Sequence, residues 1–164
     1  GHAEKWRHLQ RRAPATVLSP ADLDAFRSTD PPGRAVFHMG AISETKATEG
    51  DLVWRTSVTL SQRLWTWCAK REISFIYASS AAAYGAAASM DAFSDIPEKL
   101  DSLRPLNSYG WSKHVLDQRV MRRIAMGEKA LSQWAGFKFC NASGTTEYHK
   151  GKMISAINVK FDEI

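Results

Sequence analysis

Tyr109 and Lys113 stand four residues apart in the stretch Asn, Ser, Tyr, Gly, Trp, Ser, Lys that runs from Asn107 to Lys113. On a helix, positions i and i+4 share a face, so a phenol and an ammonium at this spacing occupy one patch of space. The pair has a chemical use. A free tyrosine titrates near ~10, and bringing it to a neutral working pH takes about three units, or about 4 kcal/mol of preferential stabilisation of the phenolate. A lysine cation held beside the ring supplies part of that. The same spacing arises on ordinary amphipathic helices, so the elements that would position the pair have to decide between the two readings.

Ser19, Pro20, Ala21 and Asp22 supply an N-cap, a proline at the first helical position and an early acid, predicting a short helix to about Ser28. Asp30 to Gly33 is a turn. Ala35 to Met39 is a short apolar run that stops at Gly40, as a buried strand would, and delivers the chain to Gly40, Ala41, Ile42 and Ser43. From about Asp51 to Arg71 apolar residues recur at helical spacing, with Leu60, Leu64 and Cys68 on one stripe and Trp54, Trp65 and Trp67 widening it. This predicts one long helix. Ile73 to Ala78 predicts a second buried strand, ending in Ser79 and Ser80 before the small-residue loop Ala81 to Gly85. Residues 86 to 105 lack apolar periodicity and carry Pro97 and Pro105, which predicts an irregular loop of a length that is uncommon unless functional.

The helix holding Tyr109 and Lys113 continues with Leu116, Val120 and Ile124 on the same side. Trp134 to Cys140 predicts a third strand, leading into Asn141, Ala142, Ser143 and Gly144 and then a polar loop with His149, Lys150 and Gly151. Met153 to Ile164 could begin another helix. Strands alternating with helices across crossover-length connections argue for a parallel sheet covered by helices on both faces. Ligands of such sheets sit at the carboxyl ends of the strands, where Gly40, Ser80 and Asn141 fall.

With 164 residues, 44% hydrophobic and 24% charged, the chain suits one globular domain with a single core. No apolar run reaches the roughly 18 residues of a membrane span, and no basic segment followed by an apolar one opens the chain. The expectation is a soluble, cytoplasmic protein. Cys68 and Cys140 have no metal-ligand spacing around them and read as buried, reduced thiols. The net charge of +5 is spread along the chain, with small basic clusters at Arg7, Arg11, Arg12 and at Arg119, Arg122, Arg123. The second cluster lies on a helix whose other face is apolar, so a solvated helix face accounts for it better than a nucleic-acid groove. The charge equally suits an anionic small substrate.

The strand ending His38 to Ala41 (HMGA), the strand ending Tyr77 to Gly85 (YASSAAAYG) and the helix start Pro105 to Lys113 (PLNSYGWSK) resemble the extended short-chain dehydrogenase/reductase superfamily. Within it, Gly40 to Asp51, the phrase SSAAAYG and above all EYHKGKM at Glu147 to Met153 resemble the ADP-L-glycero-D-manno-heptose 6-epimerases, from Glu4, Lys5, Trp6 and Arg7 nearly to the end of the chain. The resemblance implies a Rossmann-like, doubly wound parallel sheet and epimerisation of a nucleotide-activated heptose for lipopolysaccharide. The route is oxidation to a ketone and hydride return to its other face, with NADP, or NAD, as cofactor. It implies that Tyr109 is one acid/base catalyst, that Lys113 holds the nicotinamide ribose and lowers the tyrosine pKa, and that Ser80 hydrogen-bonds the reacting oxygen. Lys150 would be the second acid/base group. The cofactor-binding positions would be Lys5, Gly40, Ala41, Ile42, Ser43, Thr56, Lys113 and Ala142. Ser80, Asn141, His149 and Lys152 would face the substrate, an ADP-heptose or related nucleotide sugar, in an enzyme that is a homo-oligomer when intact and needs neither membrane nor nucleic acid.

Departures from that family accompany the likeness. Its sheet opens with a strand, a glycine-rich turn and a helix, because the glycines let backbone amides approach a pyrophosphate. The ten glycines of this chain are never closer than seven positions apart. The expectation is therefore a partial domain over residues 1 to 164, lacking the first strand–helix–strand unit and most of the substrate part, of which 145 to 164 would be the start. Thr56 stands where the family usually has asparagine, and the family's aromatic after Asn141, in an NVYG phrase, is missing from Asn141, Ala142, Ser143 and Gly144. Two alternatives stay open: another nucleotide-sugar epimerase or dehydratase of the same superfamily, or a non-catalytic remnant that binds a partner or a nucleotide sugar.

Overall fold

The computed structural model describes residues 12–42, 50–86, 93–128, 131 and 133–144. The chain divides into two compact units, Gly1–Pro32 with Asn141–Ile164, and Gly33–Cys140. In the first, Ser19 caps a 3-10 turn at Pro20–Asp22 by accepting the Ala21 N–H at 3.0 Å, and helix α1 follows at Leu23–Ser28. It ends at Asp30, whose φ of 53° turns the chain through the left-handed region.

The second unit holds a parallel sheet in which β1 (Ala35–His38), β2 (Ser74–Ser80) and β3 (Trp134–Phe139) lie in chain order. Phe37 is opposite Ile76, His38 opposite Tyr77, and Tyr77 in turn opposite Gly136. Each crossover carries a helix: α2 (Gly50–Val53) runs through a π-helical stretch, Trp54–Thr59, into α3 (Leu60–Arg71), and α4 spans Ser108–Ala125. Both α3 and α4 pack on one face, as same-handed crossovers between strands in sequential order require. Trp65 of α3 meets Phe75 and Trp134 edge to face, with centroids 5.9 and 5.5 Å apart. Val58, Leu64, Cys68, Leu116 and Val120 complete the core.

The π stretch changes one expectation. On a uniform helix Trp54 falls on the same side as Trp65. The wider turns rotate it outward and bury Val53, Ser57 and Val58 in its place. Trp54 is exposed, with the Arg119 guanidinium 5.1 Å from its ring centroid. The basic stripe of α4 is solvated only in part: Arg119 also donates to Gln62 and Arg123 pairs with Glu128 and donates to Thr66, whereas Arg122, paired with Asp101 at 3.4 Å, is exposed as expected.

The expected irregular loop is partly regular, because Pro97 opens a 3-10 helix to Ser102. Its Leu100, with Leu103, packs against Tyr84 in a small second core. Cys68 is buried, whereas Cys140, just past the edge strand β3, is exposed; neither is in a disulfide. No helix of the described residues is long and apolar enough to cross a membrane, and no cluster of three metal-ligating side chains occurs among them.

Candidate active site

Asn107 starts α4 by accepting the Gly110 N–H on its side-chain oxygen at 2.8 Å, which places Tyr109 and Lys113 in the first two turns. Gly110 then lets the helix end come close to the sheet. A Cβ at that position would lie 2.5 Å from the Ala82 carbonyl oxygen, so only glycine allows α4 to rest on the 3-10 turn Ala81–Tyr84. Ser80 caps that turn, its Oγ accepting the Ala82 N–H at 3.2 Å. Ser80, Tyr109 and Lys113 therefore gather at the carboxyl end of β2.

Lys113 is only 2% exposed. Its ammonium donates to the Ala78 carbonyl at 2.5 Å and stands 5.8 Å from the centre of the Tyr109 ring. Burial draws its pKa down to about 8, with the Asp117 carboxylate pulling the other way. At the end of β1, His38 Nε2 is 2.7 Å from Ser61 Oγ. Ser61 gives its only proton to the Ser57 carbonyl, at 2.5 Å, so the imidazole must be the donor and carries its hydrogen on Nε2. Burial, and then the charge of Lys113, hold the His38 pKa down to about 4. It is a neutral donor at pH 7.

Behind the site lies a polar network whose members sequence reasoning did not single out as a group. Asp117 accepts from Tyr77 Oη at 2.8 Å and from Ser79 Oγ at 2.7 Å. Lys138 of β3 reaches Asp95 at 2.8 Å and lies 3.7 Å from Asp117, and Tyr84 donates to Asp95 at 2.7 Å. Burial raises the Asp117 pKa against its hydrogen bonds, and the Lys138 bond holds Asp95 below the usual carboxylate value. The one visible signal was Asp117 itself, an acid amid the apolar positions Leu116 and Val120.

Of the other residues singled out from the sequence, Gly40, Ala41 and Ile42 follow β1 after Met39, and among the described residues nothing lies within 4 Å of a Cβ placed on Gly40. Thr56 turns its hydroxyl onto its own helix, donating to the Leu52 carbonyl at 2.7 Å. Asn141 and Ala142 are exposed and belong to the first unit. Lys5, Ser43, His149, Lys150 and Lys152 lie outside the described residues. A buried lysine with one N–H spent on Ala78 keeps two further donors, which fits the nicotinamide ribose of a dinucleotide. The glycine-rich pyrophosphate cradle is not in this chain.

The sequence model of the NAD dependent epimerase/dehydratase family matches residues 2–163. The chain belongs to that family. The ADP-L-glycero-D-manno-heptose-6-epimerase of Fusobacterium nucleatum is 41% identical over 124 residues, which cover 75% of this chain and 36% of that protein. This family member thus spans little more than a third of the length of that relative. Among solved structures, the Helicobacter pylori ADP-L-glycero-D-manno-heptose-6-epimerase superposes with a TM-score of 0.67 at 24% identity, covering 85% of this chain and 41% of that one. At that identity the likeness is one of fold. MoeE5, solved in complex with UDP-glucuronic acid and NAD, gives a TM-score of 0.53 at 26% identity over 65% of this chain and 34% of its own.

Proposed function

We propose that the chain carries the central part of an ADP-L-glycero-D-manno-heptose 6-epimerase, acting on a nucleotide-activated heptose with NADP, or NAD, as its cofactor. The observation that carries this reading is the buried Lys113 ammonium beside the Tyr109 ring at the end of the strand that finishes in Ser80. A nicotinamide cofactor, its ribose held by Lys113, would supply reversible hydride transfer at the carbon beyond the sugar ring. The residues of this chain move the protons and hold the reactants. Tyr109 exchanges a proton with the reacting oxygen at its phenolic oxygen, and Lys113 binds the ribose and favours the phenolate electrostatically. Ser80 accepts the Ala82 N–H, which leaves its own proton to donate to the reacting oxygen. Inversion needs acid/base help from two directions, and Lys150, from a separate stretch of the sequence, is the second group.

Calorimetric titration of the purified chain with NADPH, using Tyr109→Phe as a folding-matched control, tests the cofactor assignment. Micromolar binding is expected; no binding at millimolar cofactor would overturn it for this chain. For the two-base assignment, Lys150→Ala in a chain completed to the relatives' full length should abolish inversion while cofactor binding persists. Retained epimerisation would remove Lys150 from the mechanism. A second reading, a related epimerase or dehydratase acting on a uridine-linked sugar, draws support from the MoeE5 likeness. Tighter binding of UDP-glucuronic acid than of an ADP-sugar would favour it.

A further inference from the structure

Helix α4 grips β2 at two levels one turn apart. Lys113 holds the Ala78 carbonyl, and Asp117, four residues on, holds the side chains of Tyr77 and Ser79 on either side of it. Three consecutive strand residues are thus fastened by two helix residues. Tyr109 comes one turn before Lys113, and Ser80 one residue after Ser79, so the same fastening fixes where the phenol stands relative to the serine. Sliding α4 by one position would rotate it by about 100° and break all three bonds together.

Asp117 is 5% exposed, and a buried carboxylate is expensive unless its charge is answered. The groups facing it are Tyr77 and Ser79 from β2, Lys138 from β3, and Lys113 and His114 from its own helix, the His114 Nδ1 having no hydrogen-bond partner among the described residues. Lys138 is engaged more closely by Asp95, itself bonded by Tyr84. The groups facing Lys113 are Tyr109 and Asp117 from α4 and the neutral His38 from β1.

We propose that Asp117 is the positioning residue of the Tyr109–Lys113 pair: it pins α4 in register on the strand that ends in Ser80 and supplies the buried anion against which the Lys113 ammonium stays charged. The importance given to that pair rests on the functional reading above, but the test needs neither cofactor nor substrate, so either can fail without the other. Protein labelled with ¹³C at the lysine ε-carbons is titrated by NMR over roughly pH 6 to 11, the range that brackets a lysine shifted downward from its usual value. The Lys113 resonance is assigned by its disappearance in Lys113→Arg. In Asp117→Asn, which keeps the shape and a hydrogen-bond acceptor, the Lys113 midpoint should fall by about one unit. An unchanged or raised midpoint in a folded Asp117→Asn chain, judged by near-ultraviolet circular dichroism, would overturn the proposal and leave Asp117 a packing group only. Should that variant not fold, Asp117→Glu retains the charge. A Lys113 midpoint within a few tenths of a unit of the parent then upholds the proposal, and a midpoint that drops overturns it.

Discussion

Phe75 and Phe37 sit on neighbouring strands of one sheet, in adjacent rows of the register and on opposite faces. Phe75 is fully buried under α3, stacked between His38 and Tyr77, whereas Phe37 is 65% exposed and shares its face with the exposed Phe137 and Phe139. In sequence the exposed face, with Phe37, Ile76, Phe137 and Phe139, is if anything the more apolar of the two. What separates them is the covering layer: among the described residues the helices between the strands both fall on one side, and that side holds Lys113, Asp117 and His38 with their hydrogen bonds. Low dielectric strengthens those interactions only where water is excluded.

Mutation can break this contrast. Phe75→Ala should destabilise the unit by about 3–5 kcal/mol, read from denaturant midpoints, because it empties a packed site. Next in size is the buried lysine. Its folded pKa of about 8 lies below the unfolded value near 10.5, so the unfolded state binds more protons between these pH values and folding stability rises with pH through that window. Relative to Lys113→Met, the parent should therefore gain stability, up to about 3 kcal/mol, between pH 8 and pH 10.5. His38 follows the same sign at lower pH: lowered to about 4 from 6.5, it contributes stability that is full above 6.5 and is lost as pH falls towards 4. His38→Gln should flatten that part of the stability profile, while Asp117, whose raised pKa acts in the opposite sense, is unaffected. Smallest is Phe37→Thr on the open face, within about 0.5 kcal/mol in stability. Its readout is association, since an exposed apolar face invites self-contact and this variant should lower the apparent mass in sedimentation.

The local signals were legible in the sequence. Strand ends marked by Gly40 and Ser80 and the helical Tyr109–Lys113 spacing each need only a few neighbouring residues, and they appear in the fold where those signals put them. Asp117 was not legible as a site residue, because Tyr77 and Ser79 are 40 and 38 residues away and only the packed helix brings them to it. Trp54 misled for a different reason: periodicity assumes one helical pitch, and the π stretch violates it. Cys140 was read as buried because a cysteine without metal-ligand or disulfide spacing around it usually is. It follows an edge strand whose outer face is open, so the expectation lost its physical basis.

The absent Cβ of Gly110 separates having the right residues from having the right geometry. Any side chain there would drive α4 away from the Ala82 carbonyl, carrying Tyr109 and Lys113 off Ser80 while every chemistry-bearing residue stayed in the sequence. A descendant could keep the full inventory of reacting groups and lose function through one added carbon, and a comparison that scores only those groups would not detect the loss.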